Sequence, residues 1–194
     1  MPRPISKRDD LINAALVLFM KKGIKGTTTR DIANRAGISE GTIYRHFSSK
    51  EELAQKVFED NLEKFWRFLR RELRNTRNPE DMLCAFIKGI FEFARKHHRR
   101  YSFIFSAHQT ELRRLSRGKM KPKRMLARIL RLGQAQGYFR PMQPDLAAAM
   151  ILGMVTQTIF YMRNGLIPVS YEDVIREVAQ SCLRMIRTET LAGS

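Results

Sequence analysis

The chain has 194 residues, 43% of them hydrophobic, and 36 Lys and Arg against 19 Asp and Glu leave a net charge of +17. That length suits one ordinary domain or a small domain joined to a larger one, and the apolar content excludes wholesale disorder. A charge of this size and sign points to a polyanionic partner, and the lack of about 18 uninterrupted apolar residues argues against a membrane span.

Taken in order, residues 1–6 read as a short basic arm, with Arg3 between two prolines: a frayed terminus, or a minor-groove contact. Leu11, Ile12, Ala15, Leu16 and Phe19 recur at helical spacing, which predicts an amphipathic helix from Lys7 to Lys22 ended by Gly23. Lys21, Lys22 and Lys25 in the following turn either reach a phosphate backbone or are simply solvated. Thr28 followed by Asp31 is a capping-box-like start for a second helix, with Ile32, Ala33 and Ala36 on its apolar face and Gly37 as its stop. Ser39 is an N-cap for a third helix, Glu40 to Phe47, and Ser48 and Ser49 cap a fourth that begins at Lys50. Helix, glycine-containing turn and helix is the arrangement of a helix-turn-helix, whose second helix enters the DNA major groove. Ile43 and Phe47 share one face of that second helix, so Gly41, Thr42, Tyr44, Arg45 and His46 line the outward sides. Thr42, Tyr44 and His46 can hydrogen-bond phosphates, Arg45 is long enough for a guanine edge, and Gly41 permits close approach to the groove. Up to Lys50 there are ten basic residues to four acidic ones.

The stretch GISEGTIYRHFSSKEEL, from Gly37 to Leu53, resembles the helix-turn-helix signature of the TetR family of bacterial transcriptional regulators. The resemblance implies phosphate contacts from Thr28, Thr42, Tyr44, His46 and Lys50, and base contacts among Arg30, Glu40, Gly41 and Arg45. Ser39 completes the candidate DNA surface. Glu40 departs from the Lys or small residue common in the family, and either accepts from a cytosine amine or only supports the helix N-terminus.

From Lys50 a long helix is predicted through Leu53, Val57, Leu62, Phe65, Trp66, Leu69 and Leu73 to about Asn75, a rod joining two domains, with Trp66 as a packing residue. Asn78 and Pro79 start the next helix, apolar around much of its circumference and ending in the cations Arg95 to Arg100. His97 and His98 point to different helix faces and make no metal site. A helix from Tyr101 through Leu115 follows, and then one from Pro122 to Gln136 closed by Gly137. Between Arg113 and Arg140 stand ten basic residues and no acidic one: a solvated face, an attractor of an acidic or phosphate-bearing effector, or a further contact with DNA-bound neighbours. The last two helices, Asp145 to about Asn164 and Tyr171 to about Thr188, carry apolar stripes able to form a four-helix interface about a two-fold axis. GYFRPMQPDLAAAMILGM, from Gly137, also looks like the entry to the TetR dimerisation helices.

The expected fold is all-α: an N-terminal three-helix helix-turn-helix DNA-binding domain over residues 1–50 and a larger helical effector-binding and dimerisation domain over 51–194. Phe86, Phe91, Phe93, Phe103, Phe105, Met125, Met154 and Phe160 are candidate lining for an effector pocket, or simply core. Arg163 either meets an acidic group there or closes its helix. The expected function is a homodimeric, sequence-specific regulator, a repressor released from a palindromic operator by a small molecule that is apolar or an acyl thioester; induction is implied by the resemblance alone. The alternative is a non-specific, charge-driven architectural DNA-binding protein. No catalytic constellation, cofactor motif or metal-ligand set is present in the sequence. Cys84 and Cys182 read as free thiols, and MPRPISKRDD lacks the apolar core of a secretory signal, so a cytoplasmic protein is expected.

Overall fold

The computed structural model describes residues 7–106 and 121–188, and among these residues the regular elements are all helices. They are α1 (Lys7–Lys22), α2 (Thr29–Ala36), α3 (Glu40–His46), α4 (Lys50–Glu72), α5 (Pro79–Lys96), α6 (His98–Ser106), α7 (Lys121–Ala135), α8 (Pro144–Arg163) and α9 (Tyr171–Ile186). An isolated antiparallel bridge pairs Phe139 with Arg187. The chain divides into two units: α1 to α3 with α4 as far as Phe65 and α6, and the rest of α4 with α5, α7, α8 and α9. Residue 65 is in the middle of α4, so this one helix supplies side chains to both.

In the first unit the predicted apolar face of α1 is buried through Leu11, Ile12, Ala15, Leu16 and Phe19, together with Ile32 of α2, Ile43 of α3 and Leu53, Val57 and Phe58 of α4. α6 closes this core. Phe103 stacks on Phe19 at 6.5 Å and meets Phe58 edge-on at 6.3 Å. Beside them the half-buried Arg100 guanidinium donates to the side-chain oxygens of Asn61 (2.7 Å) and Asn13 (3.4 Å), so three helices share one polar knot. Asn61 is fully buried and also donates to the Val57 carbonyl, which satisfies it at both ends.

The second unit is built on α5, buried along nearly its whole length through Leu83, Phe86, Ile87, Ile90, Phe91 and Phe93. Gly89 lets α4 pack closely, since a Cβ there would sit 2.8 Å from Leu69 Cδ2. Gly133 of α7 does the same for the buried Phe139 ring, which would lie 2.0 Å from an added Cβ. α9 is anchored by Tyr171, whose hydroxyl donates to the Phe91 carbonyl.

Several expected boundaries shift. α4 stops at Glu72 because Leu73 to Thr76 form a turn, with the Thr76 hydroxyl donating to the Leu73 carbonyl at 2.8 Å. The helix expected from Tyr101 already begins at His98 and is described to Ser106; residues 107–120, including its expected continuation to Leu115 and the start of the basic block, lie outside the described residues. On α8 the buried face is Ala147, Ala148, Ile151, Val155 and Ile159, whereas Leu146, Met150, Phe160 and Tyr161 of the expected stripe are exposed. By length and composition α8 is apolar enough to cross a membrane, although Asp145, Thr156, Gln157 and Thr158 interrupt its apolar run.

Candidate nucleic-acid interface

The local chemistry of residues 27–50 sets the geometry of α2 and α3. Thr28 is extended (φ −97°, ψ 159°), its hydroxyl accepts from Asp31 N at 3.0 Å, and Asp31 Oδ2 accepts from Thr28 N at 3.3 Å, closing a capping box. Lys22 Nζ sits 3.2 Å from the same carboxylate. The Thr28 N–H, then the Lys22 ammonium and the Thr28 hydroxyl, hold the Asp31 carboxyl below the usual carboxylate range. α2 ends on Gly37 in the left-handed region (φ 65°), where Ile38 N returns to the Ala33 carbonyl at 3.1 Å and turns the chain toward α3. Ser39 caps α3 by accepting from Thr42 N at 3.3 Å.

Burial then sorts the sides of α3. Ile43 and the following Phe47 are buried, and Gly41, Tyr44, Arg45 and His46 are exposed, Tyr44 at 54%. Around the exposed side the hydroxyls form short chains. Ser39 Oγ and Thr42 Oγ1 are 2.9 Å apart, and Arg45 Nη2 donates to Thr42 Oγ1 at 3.4 Å. The Glu40 carboxylate accepts from Thr29 of α2, whose Oγ1 lies 3.4 Å from the Tyr44 hydroxyl oxygen. Lys50 donates to the carbonyls of Thr27 (2.9 Å) and Lys25 (3.4 Å), tying the start of α4 to the turn before α2; its ammonium has three hydrogens, so one remains. Arg30 is exposed on α2. Thr28, Arg30, Ser39, Glu40, Gly41, Thr42, Tyr44, Arg45, His46 and Lys50 thus all belong to the first unit, on α2, α3, their N-caps and the start of α4.

Gly41 requires its own explanation. Among the described residues a Cβ built there meets only Ser39 Oγ, at 4.0 Å, and its φ is not positive, so none of these residues demands glycine. A glycine in a helix is nonetheless unfavourable by roughly 0.5–1 kcal/mol relative to alanine. The bare helix surface it leaves would admit a close neighbour.

The expected effector residues are distributed differently. Phe103 and Phe105 belong to the first unit, where Phe105 packs on Phe65 and Tyr101. Phe86, Phe91 and Phe93 are core in α5, Met154 Sδ lies 3.6 Å from Cys182 Sγ, and Phe160 and Arg163 are exposed. Met125 lines a cavity of about 490 Å³ in the second unit, with Trp66, Arg70, Leu73, Met82, Arg124, Arg128, Ile129 and Leu132. Three exposed arginines therefore line an otherwise apolar space, and the Arg70 guanidinium lies 5.4 Å from the Trp66 ring. Of this set the sequence points to Met125 and, within the basic block from Arg113 to Arg140, to Arg124 and Arg128, but it leaves Trp66 as a packing residue and Arg70 unmarked, although Trp66 and Arg70, like Arg124 and Arg128, are pairs one helical turn apart. Thr29 was missed as well, hidden in a run of three threonines.

Residues 11–57 match the family described as bacterial regulatory proteins, tetR family, and residues 76–186 match a tetracyclin repressor-like C-terminal domain. The transcriptional repressor KstR2 of Mycolicibacterium smegmatis is 34% identical over 189 residues, covering 89% of this chain and 86% of that protein. The solved structure of the ketosteroid transcriptional regulator KstR2 of Mycobacterium tuberculosis is 28% identical with a TM-score of 0.71, over 96% of this chain and 98% of that one. The Bacillus subtilis regulator FadR, solved in complex with stearoyl-CoA, shares the fold at 21% identity and a TM-score of 0.78, over 90% of this chain and 96% of that one.

Proposed function

From the premise that this chain belongs to the TetR family and is a DNA-binding transcriptional regulator, we propose that it is a homodimeric repressor of a palindromic operator, working in the cytoplasm and released by a small molecule. Residues 1–50 bind DNA, and residues 51–194 bind the effector and the second subunit. Thr28, Thr42, Tyr44, His46 and Lys50 take phosphates, Arg30, Gly41 and Arg45 meet base edges, Ser39 completes that surface, and Glu40 supports the N-terminus of α3. The observation that carries this reading is the exposed side of α3, where a glycine that the fold does not need stands among hydroxyls and an arginine. The repressor named at 34% identity supports the sign of regulation.

The dimer forms through α8 and α9. Leu146, Met150, Phe160 and Tyr161 make an exposed apolar stripe on α8, which a second copy would cover. The effector is an amphipathic anion, with an apolar body against Leu73, Met125, Ile129 and Leu132 and an acidic or phosphate group on Arg70, Arg124 and Arg128. An acyl thioester of coenzyme A has this character, and the fold relative FadR was solved with one bound. A ligand releases DNA only by its differential affinity for the two states.

The test is binding to the gene's own promoter fragment against random competitor duplex at near-physiological salt. Retention on the promoter against excess competitor is the expected result. Equal displacement would instead favour the charge-driven architectural reading that the net charge of +17 allows. Stearoyl-CoA added to the promoter complex is expected to release it. Arg128→Ala is expected to raise the concentration needed by roughly tenfold, the loss of one charge-assisted contact, with operator affinity unchanged.

A further inference from the structure

Where α2 runs beside α3, one hydroxyl stands between two groups of the recognition helix. Thr29 Oγ1 contacts the Glu40 carboxylate, and the Tyr44 hydroxyl oxygen lies 3.4 Å from the same Oγ1. An ionised carboxylate only accepts, and threonine has one hydroxyl hydrogen. Thr29 therefore donates to Glu40, and Tyr44 donates to Thr29 until a phosphate takes its hydrogen. Glu40 and Tyr44 are one turn apart, so both belong to the flank of α3 nearest α2.

An acid on this surface is out of keeping with its surroundings, since duplex DNA carries a negative charge about every 1.7 Å of its axis. Left free, the Glu40 side chain would sweep into the groove, where it repels phosphates and the carbonyl edges of guanine and thymine and accepts only from an amine such as cytosine N4. We propose that Thr29 is a positioning residue for operator recognition: its hydroxyl holds the Glu40 carboxylate against α2 and out of the groove, leaving base selection to Gly41 and Arg45. The inference rests on α3 being the element that meets the bases. Selectivity then depends on a side chain that touches no DNA.

The test measures operator affinity for the wild type, Thr29→Val, Thr29→Ser, Glu40→Gln and the Thr29→Val/Glu40→Gln pair, with selection from random duplex for the wild type and Thr29→Val. Valine keeps the shape and removes the hydroxyl. Thr29→Val is expected to bind the wild-type operator roughly tenfold more weakly, the effect of one mismatched position, and to enrich cytosine at one new position per half-site. Thr29→Ser and the double variant are expected to return to within about twofold of wild type, the serine because it restores the hydroxyl and the glutamine because it removes the charge. Wild-type affinity and consensus in Thr29→Val would overturn the proposal. So would a loss that Glu40→Gln fails to relieve and that falls equally on all sequences, which would make Thr29 a packing residue of α2. If the wild type itself enriched no consensus, the recognition reading would fall; if it did and Thr29→Val matched it, only the role of Thr29 would.

Discussion

At Gly41 the needs of the fold and of the function separate. Alanine fits there without contact closer than 4.0 Å to an existing atom, so Gly41→Ala is expected to raise thermal stability by roughly 0.5–1 kcal/mol while weakening operator binding. Thermal unfolding and operator titration of the same variant check the two halves. Gly133 is the opposite case: its Cβ would fall 2.0 Å from the Phe139 ring, so Gly133→Ala is expected to destabilise by about 1–3 kcal/mol with DNA contacts untouched. Tyr44→Phe removes the proposed phosphate donor and should weaken all duplexes alike, whereas Arg45→Ala should also relax preference at one base position; binding to an operator and to a one-base variant separates them. The outward residues of α3 were readable because Ile43 and Phe47 declare its buried side. Thr29 was not, because a hydroxyl that serves a neighbouring helix leaves no mark in its own helix's periodicity.

The helices themselves were marked by their caps. Thr28 with Asp31, Ser39, Gly37 and Pro79 each supply a local hydrogen bond or backbone preference that ends or starts a helix whatever packs around it, and those boundaries agree with the structure to within a residue. Where the stop was a turn without such a residue, as after Glu72, the apolar repeat ran on past the true end. Thr28→Ala is expected to cost about 1 kcal/mol through α2, measurable by denaturant unfolding. Asp31 adds a pH dependence. Its folded-state pKa lies below the unfolded one, so its stabilisation is complete above the ordinary carboxylate pKa of about 4 and disappears as pH falls through the depressed value. The stability difference between wild type and Asp31→Asn should therefore shrink on going from neutral pH into that acid range. Periodicity also marked one apolar stripe on α8, with Leu146, Met150, Phe160 and Tyr161 in it, whereas the chain buries the face of Ala147, Ala148, Ile151, Val155 and Ile159, because an exposed stripe can be as apolar as a core.

For the whole molecule, charge and symmetry make the predictions. With the five proposed phosphate contacts per subunit, dimer affinity should fall with salt at a log-log slope of about −9. The proposed effector residues were hard to read for a related reason: an aromatic at helical spacing must be buried somewhere, and only the tertiary arrangement puts Trp66, Met125 and three arginines around one space while sending Phe86 and Phe91 to the core. The most direct test of the central claim is selection of bound sequences from a random duplex library at near-physiological salt. A palindromic consensus, with half-sites about one helical turn or a multiple apart, is the predicted result. Recovery of unrelated sequences, bound through charge alone, would contradict the account.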